Sequence, residues 1–214
     1  MAHIERILLI VAVVALGWYA TARAGSMLYQ ASQNRQLEQM RLERADLHLP
    51  PLAPPGSSAS AESPSSPAQP RSRRSQAVVS HGGAAPGLLG RIDIPRLGVS
   101  AIVREGVDDR TLRRAVGHLP ETALPGDAGN MALAAHRDTY FGALQWVRKG
   151  DRIHLRTPDG DFAYVVLDTR VVEPTDVSVL APTPDSTLTL ITCYPFSYVG
   201  PAPQRFIVRA KALR

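Results

Sequence analysis

Apolar and polar positions fall into four textures along the chain, and each predicts a different kind of structure. From Ile7 to Ala22 sixteen residues pass without a charge, rich in Ile, Leu, Val and Ala, with Trp18 and Tyr19 near the far end. A helix of that length spans about 24 Å at about 1.5 Å per residue, against a hydrocarbon core of about 30 Å. Arg6 and Arg23 flank the run and can snorkel, and the segment can continue toward Tyr29, so residues 1–28 read as an N-terminal membrane anchor. A cleaved signal peptide is the alternative, because Ala22-Arg23-Ala24 resembles a small-x-small cleavage pattern. The weakly basic start and the arginine inside that pattern favour the anchor. Charge does not orient the segment, since Glu5 offsets Arg6 and further arginines follow the run.

Residues 29–49 hold strong helix formers with apolar positions at Leu37, Met40 and Leu47, which predicts a solvated juxtamembrane helix. A coiled coil would need more heptads than the one or two present. Residues 50–86 are crowded with Pro, Ser and Ala, and from Pro54 to Gln76 there is no aromatic or β-branched residue. Such a stretch cannot build a core and is expected to be a disordered linker. About 35 flexible residues reach roughly 30–35 Å, so the folded part is expected to be tethered but mobile.

From Gly87 onward short apolar runs alternate with turn signals. Leu88–Ile94, Met131–Ala135, Arg152–Leu155, Phe162–Leu167, Ser186–Thr192 and Arg205–Arg209 read as strands. Thr157-Pro158-Asp159-Gly160 supplies a hairpin turn. Helical signals are short: Asp108 is an N-cap candidate for Asp109 to Val116, and Tyr140 to Val147 can form a turn or two. Many strands with a turn about every ten residues, and few helices, imply a closed or nearly closed β-barrel over 87–214.

Composition narrows the function. The net charge of +5 suggests nucleic acid until it is divided, at +3 over residues 1–86 and +2 over 87–214, with no basic patch interleaved with aromatics. Nucleic acid is therefore not an expected partner. The single cysteine, Cys193, cannot form an internal disulfide.

Cys193 ends the run Leu188-Thr189-Leu190-Ile191-Thr192, which fixes the thiol at a strand end, near a mouth of the fold. A cysteine nucleophile needs a route to thiolate, a proton donor for the leaving amine and a group to stabilise the tetrahedral oxyanion. His136, at the end of Met131–Ala135, and Arg205, opening a strand after a loop of about ten residues, match those needs. If the Arg205 strand pairs beside that of Cys193, an always-charged guanidinium returns to the thiol, favouring the thiolate and donating to an oxyanion. A buried structural thiol is the ordinary reading of a lone cysteine, and its company argues against that. Arg209 shares the parity of Arg205 and is its rival. His118 is a loop candidate for substrate contact, His154 a surface residue, and Asp138 a loop-structuring residue beside Arg137.

Three motifs carry a resemblance: Gly129-Asn130-Met131-Ala132-Leu133-Ala134-Ala135-His136-Arg137-Asp138, Leu190-Ile191-Thr192-Cys193, and Gln204-Arg205-Phe206-Ile207-Val208. With them the chain resembles a sortase, a cysteine transpeptidase of bacterial surfaces, over nearly all of 87–214. The run Thr192-Cys193-Tyr194-Pro195-Phe196 looks most like class D. The resemblance implies an eight-stranded closed β-barrel that cleaves an LPxTG-like sorting signal between Thr and Gly. It implies Cys193 as nucleophile, His136 as acid and Arg205 as oxyanion stabiliser, with Thr192 and Ala135 as substrate contacts. It implies a thioester resolved by an amine of a cell-wall precursor or protein subunit, no cofactor, and a single-pass enzyme whose barrel lies outside the cytoplasmic membrane. Ala135 stands where family members often carry Gly, a small change expected to be tolerated. Calcium orders a groove loop in some sortases, but Glu105, Asp108 and Asp109 read better as an N-cap and solvated acids. A hydrolase or pilin polymerase on the same fold, and a module that binds the signal without turnover, are the alternatives.

Overall fold

The computed structural model describes residues 2–46, 87–198 and 200–213. The linker expected at 50–86, and residues 47–49 of the juxtamembrane segment, lie outside the described residues. Helix α1 (Ala2–Asp46) is followed by β1 (Leu88–Ile94), β2 (Val99–Glu105), the single-turn α2 (Asp109–Leu112), β3 (Val116–His118) and β4 (Asn130–Ala134). Then come β5 (Arg152–Thr157), β6 (Gly160–Val172), β7 (Thr187–Tyr194) and β8 (Gln204–Ala212), with short 3-10 turns at Pro95–Leu97, Gly142–Trp146 and Val177–Leu180.

The eight strands close into a barrel in the order β1-β2-β3-β4-β7-β8-β6-β5. Pairing is antiparallel except for β2 with β3 and β4 with β7. Closure leaves no free sheet edge. Alternate residues fill the interior: Ile92 and Ile94 of β1, Met131 and Leu133 of β4, Leu188 and Leu190 of β7, and Val208 and Ala210 of β8 are essentially excluded from water. Burying each large aliphatic side chain contributes about 1.5–3 kcal/mol, so this core is the main stabilising feature of the barrel.

Two strands escaped the sequence pattern. In β2 the consecutive residues Ala101, Ile102 and Val103 are all fully buried, so apolar and polar positions do not alternate there. Strand β3 is three residues long, too short to carry a period. The helix expected from Asp109 to Val116 stops after one turn at Leu112, with Asp108 capping it by accepting from the amides of Arg110 and Thr111.

The N-terminal region differs more. One continuous helix, α1, runs through both the expected anchor and residues 29–46 of the expected juxtamembrane helix. Its first part is apolar and long enough to cross a bilayer, and none of that window is buried in protein. Its second part is not solvated as expected: Leu37 and Met40 are buried against Leu88, Ile102 and Ala115. This contact covers the outer face of β2, which is why Ile102 is buried. Gln30 accepts from the Ile102 amide at 2.8 Å, Gln33 accepts from Arg104 at 2.8 Å, and Arg41 and Arg44 form ion pairs with Asp161 and Asp159. The helix is therefore docked on the barrel rather than loosely tethered to it.

Candidate active site

Strand register brings the three chemical residues to one rim. β7 and β8 pair so that Cys193 stands directly opposite Arg205. Side chains directly opposite in an antiparallel pair share a face about 4.5–5.5 Å apart at Cβ, so the arginine and the cysteine leave the sheet side by side on one face. On the other side of β7 the parallel strand β4 pairs Ala134 with Ile191, and the ladder continues through the Ala135 amide to the Ile191 carbonyl at 3.2 Å. His136 lies two residues beyond that rung on its chain, as Cys193 does on its own, so both sit at one level on the outer face. All three residues are half-buried. Among the described residues the Cys193 thiol and the His136 ring make no hydrogen bond.

The supports around the rim are more tightly held. Thr192 points into the barrel, 2% exposed, and its hydroxyl donates to the Ala135 carbonyl at 2.8 Å. That bond ties the strand of Cys193 to the strand leading into His136. Thr192 and Ala135, expected as substrate contacts, are both buried, and the Thr192 hydroxyl is engaged between strands. After His136 the chain turns sharply, its carbonyl accepting from the amides of Thr139 and Phe141 at 3.4 and 3.2 Å. Phe141 and Leu144 are buried in the core and anchor this loop. Gly142 is needed for the close approach, because a Cβ there would lie 2.7 Å from the Arg137 carbonyl.

The loop between β7 and β8 is held from the other side. Arg137 donates to the carbonyls of Tyr198 and Gly200 at 2.6 and 3.0 Å and stacks over the Tyr198 ring. Arg205 directs one nitrogen to the carbonyls of Ala202 and Gln204 at 3.2 and 3.0 Å. Tyr194, Phe196 and Phe206 form an aromatic cluster next to Cys193, with centroids 5.2 to 6.2 Å apart. On the wall after β6, Asp176 caps the Val177–Leu180 turn, and the Ser178 hydroxyl and amide hold its carboxyl below the usual carboxylate range.

Other sequence candidates are placed elsewhere. Arg209 pairs with Thr189, four residues along β8 from Arg205, which at about 3.3 Å per residue puts it about 13 Å from the thiol's level. His118 is not in a loop: it ends β3 at the opposite mouth of the barrel, 2% exposed, with Nδ1 2.8 Å from a Glu105 carboxylate oxygen and Nε2 3.0 Å from the Thr122 hydroxyl. Glu105 is thus engaged with His118 and Asp108 with α2. Among the described residues no group of three or more His, Cys, Asp or Glu side chains could hold a metal ion. Asp138 is exposed and His154 lies half-buried on β5.

Sequence reasoning passed over Arg137 and Tyr140. Tyr140 donates to the Arg114 carbonyl at 2.7 Å and accepts from Gln30 of α1 at 3.2 Å, fixing the loop that follows His136. The available signal was a pair of long polar side chains within four residues of the histidine, which only the loop geometry turns into supports.

A family model described as "Sortase domain" matches residues 92–213. The chain is similar to Sortase D of Bacillus subtilis (strain 168), 37% identical over 130 residues, which cover 60% of this chain and 64% of that protein. It is similar to Sortase A of Listeria monocytogenes, 34% identical over 110 residues, 50% of this chain and 49% of that protein. The matched region thus spans less than two thirds of either relative. The solved structure of a Clostridium perfringens Sortase D5 transpeptidase superposes with a TM-score of 0.55 at 30% identity, covering 59% of this chain and 79% of that chain.

Proposed function

The chain belongs to the sortase family, and on that premise we propose that it is a membrane-anchored cysteine transpeptidase of class D type. It cleaves an LPxTG-like sorting signal between Thr and Gly and transfers the acyl group to an amine of a cell-wall precursor or a protein subunit. The observation that carries this reading is the rung pairing Cys193 with Arg205, with His136 level with the thiol across the parallel strand.

The mechanism follows from those positions. The Cys193 thiolate attacks the threonine carbonyl, and the carbonyl oxygen becomes an oxyanion. The Arg205 guanidinium, always charged and carried by the residue opposite Cys193, stabilises that oxyanion by donated hydrogen bonds. As the tetrahedral adduct collapses, the His136 imidazolium gives its proton to the glycine nitrogen, the C–N bond breaks and a thioester remains on Cys193. The neutral imidazole then takes a proton from the incoming amine as it attacks the thioester, which restores thiolate and imidazolium. Water in place of the amine gives hydrolysis. Each step is made by side chains of this chain, and the proposed chemistry calls for no cofactor.

The apolar first part of α1 supports a single-pass anchor with the barrel on the extracytoplasmic side. The partners proposed are proteins bearing the sorting signal, an acceptor amine and the lipid membrane. The test is intact-mass spectrometry of the full chain in detergent with an LPxTG peptide library, with and without a glycine amine. A peptide-sized adduct on Cys193 that the amine converts to a ligated product is expected. Peptide binding with no adduct would leave a binding module, and an adduct released only by water would leave a hydrolase.

A further inference from the structure

The contacts of α1 run along the barrel in order. Near its middle, Ser26 and Gln30 meet Tyr140, and Gln30 donates to the Arg114 carbonyl at 2.7 Å. These partners lie at the mouth that carries His136, since Tyr140 belongs to the loop after it and Arg114 precedes the start of β3. Next come Gln33 with Arg104, then Leu37 and Met40 against Leu88. At the helix end, Arg41 and Arg44 hold Asp161 and Asp159 of the β5–β6 hairpin. That hairpin is at the opposite mouth, because β6 runs from Gly160 toward Val172, and Val172 pairs with Arg205 at the rim. The helix therefore passes from the rim to the far end.

The uncharged run precedes all of these contacts. From its last residue, Ala22, to Gln30 is eight residues, a rise of about 12 Å along the helix. We propose that the catalytic rim, and not the far end of the barrel, faces the lipid surface at short range, with Trp146 reaching toward it. This rests on the membrane-anchor reading above. Trp146, in the turn that ends shortly before β5 beside the rim, is 67% exposed, whereas Val107, Leu124 and Leu213 at the far end of the barrel are 37 to 40% exposed. Tryptophan is suited to the interface, with an apolar body and a polar ring N–H. A rim held this way meets its peptide and its amine in the layer next to the bilayer, so substrates that are themselves held in the membrane reach Cys193 without crossing the depth of the barrel.

The single cysteine makes the test direct. The full chain is reconstituted into phosphatidylcholine–phosphatidylglycerol vesicles carrying a headgroup-linked acceptor dye, with a donor dye on Cys193. A second protein, Cys193→Ala with Ala128→Cys, carries the donor on the exposed connection at the far mouth. Cys193 lies six residues along β7 from Thr187, which pairs with Asn130 just after position 128, about 15 Å of depth for tilted strands. More energy transfer from position 193 than from position 128 is expected; equal or reversed transfer from protein that floats with the vesicles overturns the orientation alone. Protein that fails to float overturns the anchor reading and the orientation with it. In Trp18→Phe protein, which keeps Trp146 as its one tryptophan, vesicles with brominated lipids should quench the fluorescence. An unquenched Trp146 removes the lipid contact.

Discussion

His136 and His118 sit at opposite mouths of one barrel and are treated in opposite ways. The His118 ring is buried with both nitrogens occupied, one by Glu105 and one by the Thr122 hydroxyl. The His136 ring is half-buried, and only its backbone carbonyl is tied down, by the turn to Phe141. The arginines divide the same way. At the far end Arg41 and Arg44 close onto Asp161 and Asp159, while at the rim Arg205 directs one nitrogen to backbone carbonyls and faces a thiol. A buried polar group that holds the fold has to be satisfied within it, because leaving it unpaired costs about 1–3 kcal/mol. A group that does chemistry has to keep a donor or lone pair for the substrate, so its position is set by its strand and neighbours rather than by its own polar atoms. The rim shows this in Thr192, Phe141 and Arg137, each of which fixes backbone around a reactive residue.

Removing a reactive group should break the comparison most completely. Cys193→Ala should leave no adduct and no turnover, while the unfolding temperature stays near that of the parent, since the half-exposed thiol makes no polar contact among the described residues. Arg205→Ala should follow, with a loss of roughly 10²–10³-fold in kcat/KM by analogy with removal of an oxyanion donor, while Arg209→Ala, beside Thr189, should change it by no more than a few fold. Steady-state kinetics on a sorting-signal peptide decide between them. The reverse ranking would move the oxyanion role along β8.

His118→Ala sharpens the contrast from the other end. It removes a buried ring and its bond to the Thr122 hydroxyl and leaves a cavity, while the 40% exposed Glu105 carboxylate is left to solvent, so chemical denaturation should register a loss of about 1–3 kcal/mol with kcat retained in the folded fraction. A fall in kcat with unchanged stability would place His118 in the chemistry.

The rim was legible in the sequence because three strands end or begin on a reactive residue. Leu188–Thr192 leads into Cys193, Met131–Ala135 leads into His136, and Arg205 opens Phe206–Val208, so parity and strand ends carried the constellation. The helix face of the barrel was not legible. Ile102 belongs to the outer face of β2 and is buried only because α1 crosses it, so the run Ala101-Ile102-Val103 had no strand period to detect. On α1 itself only Leu37 and Met40 give an apolar signal, and the rest of the contact is made by Gln30, Gln33, Arg41 and Arg44, residues that ordinarily mark a solvated helix. Docking through hydrogen bonds to barrel backbone leaves little trace in a hydrophobic pattern.

The smallest effect concerns pH and belongs to the far end. The Asp161 carboxyl is held below the usual carboxylate range, chiefly by the hydrogen bond from Arg41, whose second nitrogen lies 3.1 Å from Oδ2. A carboxyl whose folded value is depressed stabilises the docked helix above its unfolded value, about 4, and that contribution is lost as pH falls through the lower folded value. Asp161 is 61% exposed at its side chain, so solvent screening limits the pair to a fraction of about 1 kcal/mol. Hydrogen exchange in the last turns of α1 should therefore quicken modestly below about pH 4 once the intrinsic pH dependence of exchange is removed. Asp161→Asn should show the faster exchange already at neutral pH and respond less to acid. The middle of the helix, held by Gln30 through uncharged hydrogen bonds at the rim, should keep its protection over the same range. Equal loss at both places would mean that α1 releases as one unit and that its two ends are not separately held.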